Sequence, residues 1–216
     1  MNWIATRWLA LFLAICALYI ASEPLRPYPL HYLVKALPIL VLAVYANAHL
    51  SGRWRAAALL ALLFSAGGDI LLSLTFTNHF IAGLASFLVA QLIYAAIFFA
   101  LRNAQRRSSK AAISLGVLGY AVAMASIILP ADPVLKIAIS SYLLVITVMA
   151  LAATWAWRRS PLPMLGAFTF VASDSLIAWN MFASPVPLAS LLIMSTYYAA
   201  QLMLISGIVG MVGTKR

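Results

Sequence analysis

Long apolar runs separated by short polar breaks divide the chain into eight segments, 4–21, 29–49, 55–73, 79–101, 111–129, 134–157, 163–183 and 187–211. Each is near the roughly 20 residues that an α-helix needs to cross the hydrocarbon core of a bilayer. None has the period-2 alternation of a membrane β-strand. The breaks have local causes. Glu23-Pro24-Leu25-Arg26-Pro27-Tyr28-Pro29 cannot continue a helix, because each proline lacks an N–H donor and crowds the preceding turn. His49 to Arg53 and Thr75 to His79 are polar turns, and Arg102 to Lys110 is a basic loop. Pro130 to Pro133, Arg158 to Pro161 and Ser184 to Pro187 complete the set. The expected fold is an all-α integral membrane protein of eight transmembrane helices, with residues 1–216 forming a single transmembrane domain.

Composition supports the membrane assignment. Hydrophobic residues make up 65% of the chain and charged residues 8%, and a soluble domain of this size could not bury so much apolar surface. The formal charge of +10 could suggest nucleic acid, but the positive residues cluster in short turns, where they act as topology signals. Arg7, Arg53, Arg55, Arg102, Arg106, Arg107, Lys110, Arg158, Arg159, Lys215 and Arg216 fall on one side. Arg26 and Lys136 fall on the other, with Lys35 just inside the second helix. Both termini are therefore expected in the cytoplasm, and the compact loops suit a bacterial inner membrane. The first run, with Arg7 near its start and Ala21-Ser22-Glu23 at its end, could pass for a signal peptide. The charge pattern works best with that span retained as a helix. Cys16, the one cysteine, can form no intramolecular disulfide and reads as a packing residue.

Against this background two of the four acidic residues stand out. Asp69 and Asp174 sit inside apolar runs, in Phe64-Ser-Ala-Gly-Gly-Asp69-Ile-Leu-Leu and Phe170-Val-Ala-Ser-Asp174-Ser-Leu-Ile-Ala. A charge at membrane depth costs about 2.5–3.5 kcal/mol on insertion scales, so such residues point to function. The segments also suggest duplication. Ala90-Gln91-Leu92-Ile93 follows the first and Ala200-Gln201-Leu202-Met203 the second. Four helices separate each equivalent pair, which predicts a parallel 4+4 repeat with halves of about 1–105 and 106–216. Asp69 and Asp174 would then approach each other across the central axis. Lys35, Tyr142, Tyr197, Tyr198, Gln91 and Gln201 fall at similar depth and outline a polar chamber.

Each of these residues also has a plainer reading. The aspartates could be structural, satisfied by a lysine or a tyrosine hydroxyl. Lys35 could snorkel to the interface, pair with a carboxylate or hold a lipid phosphate. Any one of the tyrosines or glutamines could be interhelical hydrogen-bond glue, and Asn180 is a weaker candidate still. Two carboxylates in one water-poor site do not both ionise easily, which leaves an acid and a base as hydrolysis requires. Gly67-Gly68 permits close helix approach. No Gly-x-Ser-x-Gly elbow is present for a serine nucleophile. His31, His49 and His79 form no metal motif, and His31 and His79 with Asp69 would be a thin ligand set, so neither metal nor cofactor is expected.

Lys35-Ala-Leu-Pro38, Phe64-Ser-x-x-Gly-Asp69-x-Leu-Leu72, Phe170-x-x-Ser-Asp174-x-x-x-Ala178 and Tyr197-Tyr198-x-x-Gln201 resemble, in order and over nearly the whole chain, the YhhN family, which includes the animal transmembrane lysoplasmalogenases. One departure is visible, since family members often carry histidine where this chain has Gln91. The resemblance implies an eight-helix alkenyl ether hydrolase that cleaves the vinyl ether of lysoplasmalogens to a fatty aldehyde and a glycerophospho-headgroup. Its partners would be a lysophospholipid substrate and the membrane lipids around it, with no nucleic acid. Asp69 and Asp174 would then be catalytic. Lys35, Tyr142, Tyr197, Tyr198, Gln201 and Gln91 would bind substrate. The alternative from the residues alone is a proton-coupled transporter of lipids or small molecules, which intramembrane carboxylates and a parallel repeat also suit. A lipid-binding scaffold and a metal-dependent intramembrane hydrolase are further readings.

Overall fold

The structure, a computed structural model, describes residues 3–103, 107–157 and 160–213. Eight α-helices run as α1 (Trp3–Ser22), α2 (His31–His49), α3 (Gly52–Ser73), α4 (His79–Ala100), α5 (Arg107–Ile128), α6 (Pro133–Ala156), α7 (Leu162–Phe182) and α8 (Ala189–Val212). A short 3₁₀ turn, Glu23–Leu25, follows α1. All eight helices are long and apolar enough to cross a membrane, and the chain is a multi-pass membrane protein. Large apolar side chains cover the outside of the bundle, including Leu63, Val122 and Leu144 at 63%, 71% and 65% exposure. In water such a surface would aggregate; in a bilayer it is the lipid face.

The predicted segments match these helices within a few residues, with one informative exception. α5 begins at Arg107, four residues before the expected 111, so the basic stretch to Lys110 is partly helical. Lys110 is 1% exposed and donates to the carbonyls of Asn103 and Trp155 at 2.7 and 3.2 Å. Lys110, expected in a basic loop, is thus a buried residue of α5. Lys110 lies in the first turn of its helix, where the carbonyl of Asn103, just past α4, and that of Trp155, in the last turn of α6, attract a cation. Of the residues assigned to the positive side, Arg106, Arg158, Arg159, Lys215 and Arg216 lie outside the described residues.

The even-numbered helices all begin at one end of the bundle, here called the upper end, and the odd-numbered helices finish there. Turn chemistry fixes several of these starts. Asp132 caps α6 by accepting from the Leu135 N–H at 2.8 Å. Asn180, a weak site candidate in the sequence, instead accepts from the Val186 N–H at 2.9 Å and shapes the α7–α8 turn.

The tightest pairs are α3 with α4 and α7 with α8, and glycines make both possible. A methyl group on Gly68 would lie 2.5 Å from the Phe87 ring, and one on Gly166 would lie 2.8 Å from the Leu204 backbone nitrogen. Such contacts leave no room for a side chain, as expected where membrane helices pack on small residues. α4 also packs on α6, and α2 packs on α3 and α8. α5 lies at the periphery against α6 and α7. The core runs from Ile39 and Leu42 through Ala61, Leu62 and Phe98 to Phe170, Leu204 and Ile208, all nearly or wholly buried.

Candidate active site

Helix geometry brings two carboxylates to one cleft. Asp69 is eighteenth of the 22 residues of α3, and Asp174 is thirteenth of the 21 of α7. Because those helices finish at the upper end, both carboxylates sit in the upper half of the bundle. The cleft, of about 920 Å³ including its mouth, has Lys35, Asp69, Tyr142, Asp174 and Tyr197 among its lining. Most of the remaining wall is apolar, with Phe80, Leu84, Met124, Ile128, Ile139 and Phe182 among it. An apolar trough that leads to a few convergent polar groups is the usual make-up of a ligand site.

Asp69 is 2% exposed. The Lys35 ammonium lies 3.5 Å from Oδ1, and the Tyr197 hydroxyl donates to Oδ2 at 2.8 Å. Lys35 occupies a turn that Pro38 loosens, since proline offers no N–H to the Val34 carbonyl. The Tyr198 hydroxyl steadies that turn by donating to the Lys35 carbonyl at 2.8 Å. Tyr197 is held by aromatic contacts. Phe87 and Phe170 meet its ring edge-on, with centroids 5.8 and 5.5 Å away.

Behind Tyr197 runs a buried chain of hydrogen bonds. The Tyr94 hydroxyl donates to Gln201 Oε1 at 2.7 Å. This fixes the Gln201 amide so that Nε2 donates to Ser65 at 2.9 Å and reaches the Tyr197 oxygen at 3.5 Å. With its oxygen approached by a donor, the Tyr197 hydroxyl keeps its proton for Asp69. Tyr94 was not singled out by sequence. Its signal was the helical spacing from Gln91, three residues before it on α4, which places both on neighbouring positions of one face.

Asp174 has a different environment. Its carboxylate accepts a hydrogen bond from the Tyr142 hydroxyl, and no cation lies within ion-pair distance among the described residues. Flanking serines tie its helix in place. Ser173 donates to the Ile193 carbonyl of α8 at 3.0 Å, and Ser175 accepts from Tyr120 of α5 at 2.8 Å.

The eight predicted residues thus fall into two layers. Lys35, Asp69, Tyr142, Asp174 and Tyr197 line the cleft. Tyr198, Gln201 and Gln91 are buried and do not line it; Tyr198 and Gln201 brace residues that do. Gln91 stands beside Tyr142, with neither amide atom hydrogen-bonded. His31, His79 and Asp69 do not converge, and no group of three or more His, Cys, Asp or Glu among the described residues could hold a metal ion.

Fold and cleft together define a polytopic membrane protein with two intramembrane carboxylates facing one largely apolar cleft. The chain belongs to the YhhN family, whose sequence profile matches residues 30–208. It is 35% identical over 206 residues to the lysoplasmalogenase TMEM86B of Sus scrofa, covering 92% of this chain and 84% of that protein. It is 31% identical over 202 residues to the lysoplasmalogenase TMEM86A of Homo sapiens, covering 89% and 84%. A bacterial relative, the lysoplasmalogenase of Mycobacterium tuberculosis (strain CDC 1551 / Oshkosh), is 30% identical over 218 residues, covering 95% and 83%. No solved structure matches the chain.

Proposed function

We propose that this protein is an intramembrane hydrolase that cleaves the vinyl ether of a lysoplasmalogen to a fatty aldehyde and a glycerophospho-headgroup. The relatives' shared activity supports the substrate class. The observation that carries the chemistry is the unequal pair of carboxylates on one apolar cleft. Asp69 has an ammonium and a hydroxyl donor to compensate a negative charge. Asp174 has a single hydroxyl. In a water-poor site two unscreened anions are costly, so Asp69 takes the carboxylate form and Asp174 the neutral acid.

Vinyl ether hydrolysis then divides between them. Asp174 donates its proton to the β-carbon of the double bond, and the electrons of that bond form the new C–H bond. The cation left on the α-carbon and ether oxygen is stabilised by the Asp69 carboxylate, as in glycosidases. A water adds to the α-carbon and gives up a proton to a carboxylate. The resulting hemiacetal collapses to aldehyde and alcohol. Lys35 anchors the Asp69 charge at the cleft rim. Tyr142 orients Asp174, and Gln91 packs beside it as a polar neighbour. Tyr198 and Gln201 hold Lys35 and Tyr197 in register. The lipid tail lies along the apolar wall of α4, α5 and α7.

The same reading covers the arrangement of the chain. Residues 1–216 form one transmembrane domain of two parallel halves, about 1–105 and 106–216, with both termini in the cytoplasm of a bacterial inner membrane. In support, α2–α8 and α4–α6 both bridge the halves and join corresponding helices of the two, although α4–α6 packs far more extensively.

The test is aldehyde release from lysoplasmenyl-ethanolamine by the purified protein in liposomes. Wild type is expected to release it, and Asp174→Asn and Asp69→Asn to lose about 10²-fold or more. No aldehyde from folded wild type, or normal turnover by both variants, overturns the proposal. Proton-dependent uptake without lipid cleavage would favour a transporter.

A further inference from the structure

A second pocket sits beside the cleft at the upper end, and nothing in the mechanism above uses it. It holds about 630 Å³ including its mouth and is lined by the end of α1 (Tyr19, Ile20), by Glu23 and Pro24, and by the start of α8. Met194 of α8 lines both this pocket and the catalytic cleft, so the two are separated there by one flexible thioether side chain.

The pocket carries one charged group, and that group is half satisfied. Glu23 Oε1 pairs with the Arg26 guanidinium at 2.8 Å. Glu23 Oε2 is buried and accepts no hydrogen bond, although the Ser190 and Tyr19 hydroxyls stand close to the carboxylate. A buried carboxylate oxygen left without a donor is costly, and such a group in a concave site is suited to a ligand that brings N–H bonds. Arg26 is one-third exposed and presents its positive charge beside the same carboxylate. The pair is therefore a small zwitterion at the interface where a lipid headgroup resides. A phosphoethanolamine headgroup is the complementary zwitterion, with ammonium toward Glu23 and phosphate toward Arg26.

We propose that the Glu23 pocket is the headgroup subsite and selects a primary ammonium over a trimethylammonium. The distinction follows from the orphan oxygen. A primary ammonium has three N–H donors and can close a charge-assisted bond to Oε2. A trimethylammonium has none, and the pocket offers it the single aromatic ring of Tyr19 rather than a cage of several. The inference rests on the lysolipid reading above and adds the headgroup that this chain prefers.

The experiment separates the two. Binding of the saturated ether analogues, 1-alkyl lysophosphatidylethanolamine and 1-alkyl lysophosphatidylcholine, is measured by titration calorimetry on wild type and Glu23→Gln in detergent. Neither analogue contains a vinyl ether, so binding is read without turnover. Wild type is expected to bind the ethanolamine lipid at least about tenfold more tightly, the scale of one hydrogen bond to a charged group. Glu23→Gln is expected to bring the ratio close to one. The ratio does not depend on the fraction of folded protein. A wild-type ratio near one, a ratio unchanged in Glu23→Gln, or no binding of either analogue overturns the subsite. If the ratio behaves as expected but lysoplasmenyl-ethanolamine yields no aldehyde, the subsite stands and the hydrolase reading falls.

Discussion

Replacing Lys35 with methionine removes the ammonium that faces Asp69 and keeps an unbranched apolar stem one atom shorter. The Asp69 side chain is 3% exposed and the Lys35 side chain 13%, so the carboxylate would remain buried with Tyr197 as its one donor. Breaking a buried pair from one side typically costs about 3–5 kcal/mol. The reverse change should cost less. Lys35 is the fifth residue of α2, about 6 Å from its upper end at 1.5 Å per residue, and its stem is long enough to carry the ammonium to the interface. Asp69→Asn is therefore expected to cost only about 1–2 kcal/mol, the scale of a weakened hydrogen bond. The double variant Lys35→Met/Asp69→Asn has no uncompensated charge and should be more stable than Lys35→Met alone, giving a coupling of about 2 kcal/mol. Reversible denaturation in mixed micelles measures the four stabilities, and aldehyde release measures activity on the same samples. The double variant should recover stability and stay inactive. Costs that simply add, or a Lys35→Met protein as stable as wild type, would refute the reasoning that Lys35 compensates an Asp69 anion.

Four further substitutions probe the supporting structure. Tyr94→Phe frees the Gln201 amide to turn and accept the Tyr197 proton, so kcat should fall about tenfold with KM nearly unchanged; a change confined to KM would remove Tyr94 from the positioning chain. Gly166→Ala should destabilise by about 1–3 kcal/mol, because its methyl would meet the Leu204 backbone at 2.8 Å, whereas Gly210→Ala, with nothing within 4 Å, should be neutral or slightly stabilising in the same melting assay. Lys110→Met strips a donor from two carbonyls and should lower stability by about 1–3 kcal/mol, with activity per folded molecule preserved.

Much of this arrangement is legible in the sequence, for physical reasons. A bilayer tolerates only helices or closed barrels, so apolar run length and proline-rich breaks suffice to count eight helices and to bound most of them. The same constraint makes Asp69 and Asp174 conspicuous. Lys110 was missed because a lysine in a basic stretch reads as solvated, and only the folded chain brings the carbonyls of Asn103 and Trp155 to it. Tyr94 was missed because a lone tyrosine in an apolar helix is ordinary; its role depends on Gln201, 107 residues away. The division of predicted residues between the cleft and the layer behind it also lay beyond the sequence, because helical periodicity gives a face and not the neighbour that covers it. Glu23 lay in plain view within the proline-rich break, but the enclosure of its Oε2 depends on α8 folding back beside it.

The two aspartate segments look equivalent in sequence, and their surroundings explain how such segments can support opposite roles. For each aspartate the preceding helix supplies a partner, with Lys35 of α2 reaching Asp69 and Tyr142 of α6 bonding Asp174. One site thus offers a cation where the other offers a neutral hydroxyl. Helices α4 and α8 widen the difference. Aligning Gln91 with Gln201 sets Phe87 of α4 against Tyr197 of α8, and only Tyr197 has a hydroxyl to give. That hydroxyl goes to Asp69, and Phe87 packs against the Tyr197 ring instead. Asp69 therefore gains a charge partner and a second donor in places where Asp174 has none. The acid and base proposed above need unlike environments, and that difference resides in residues of the neighbouring helices rather than in the aspartate segments themselves.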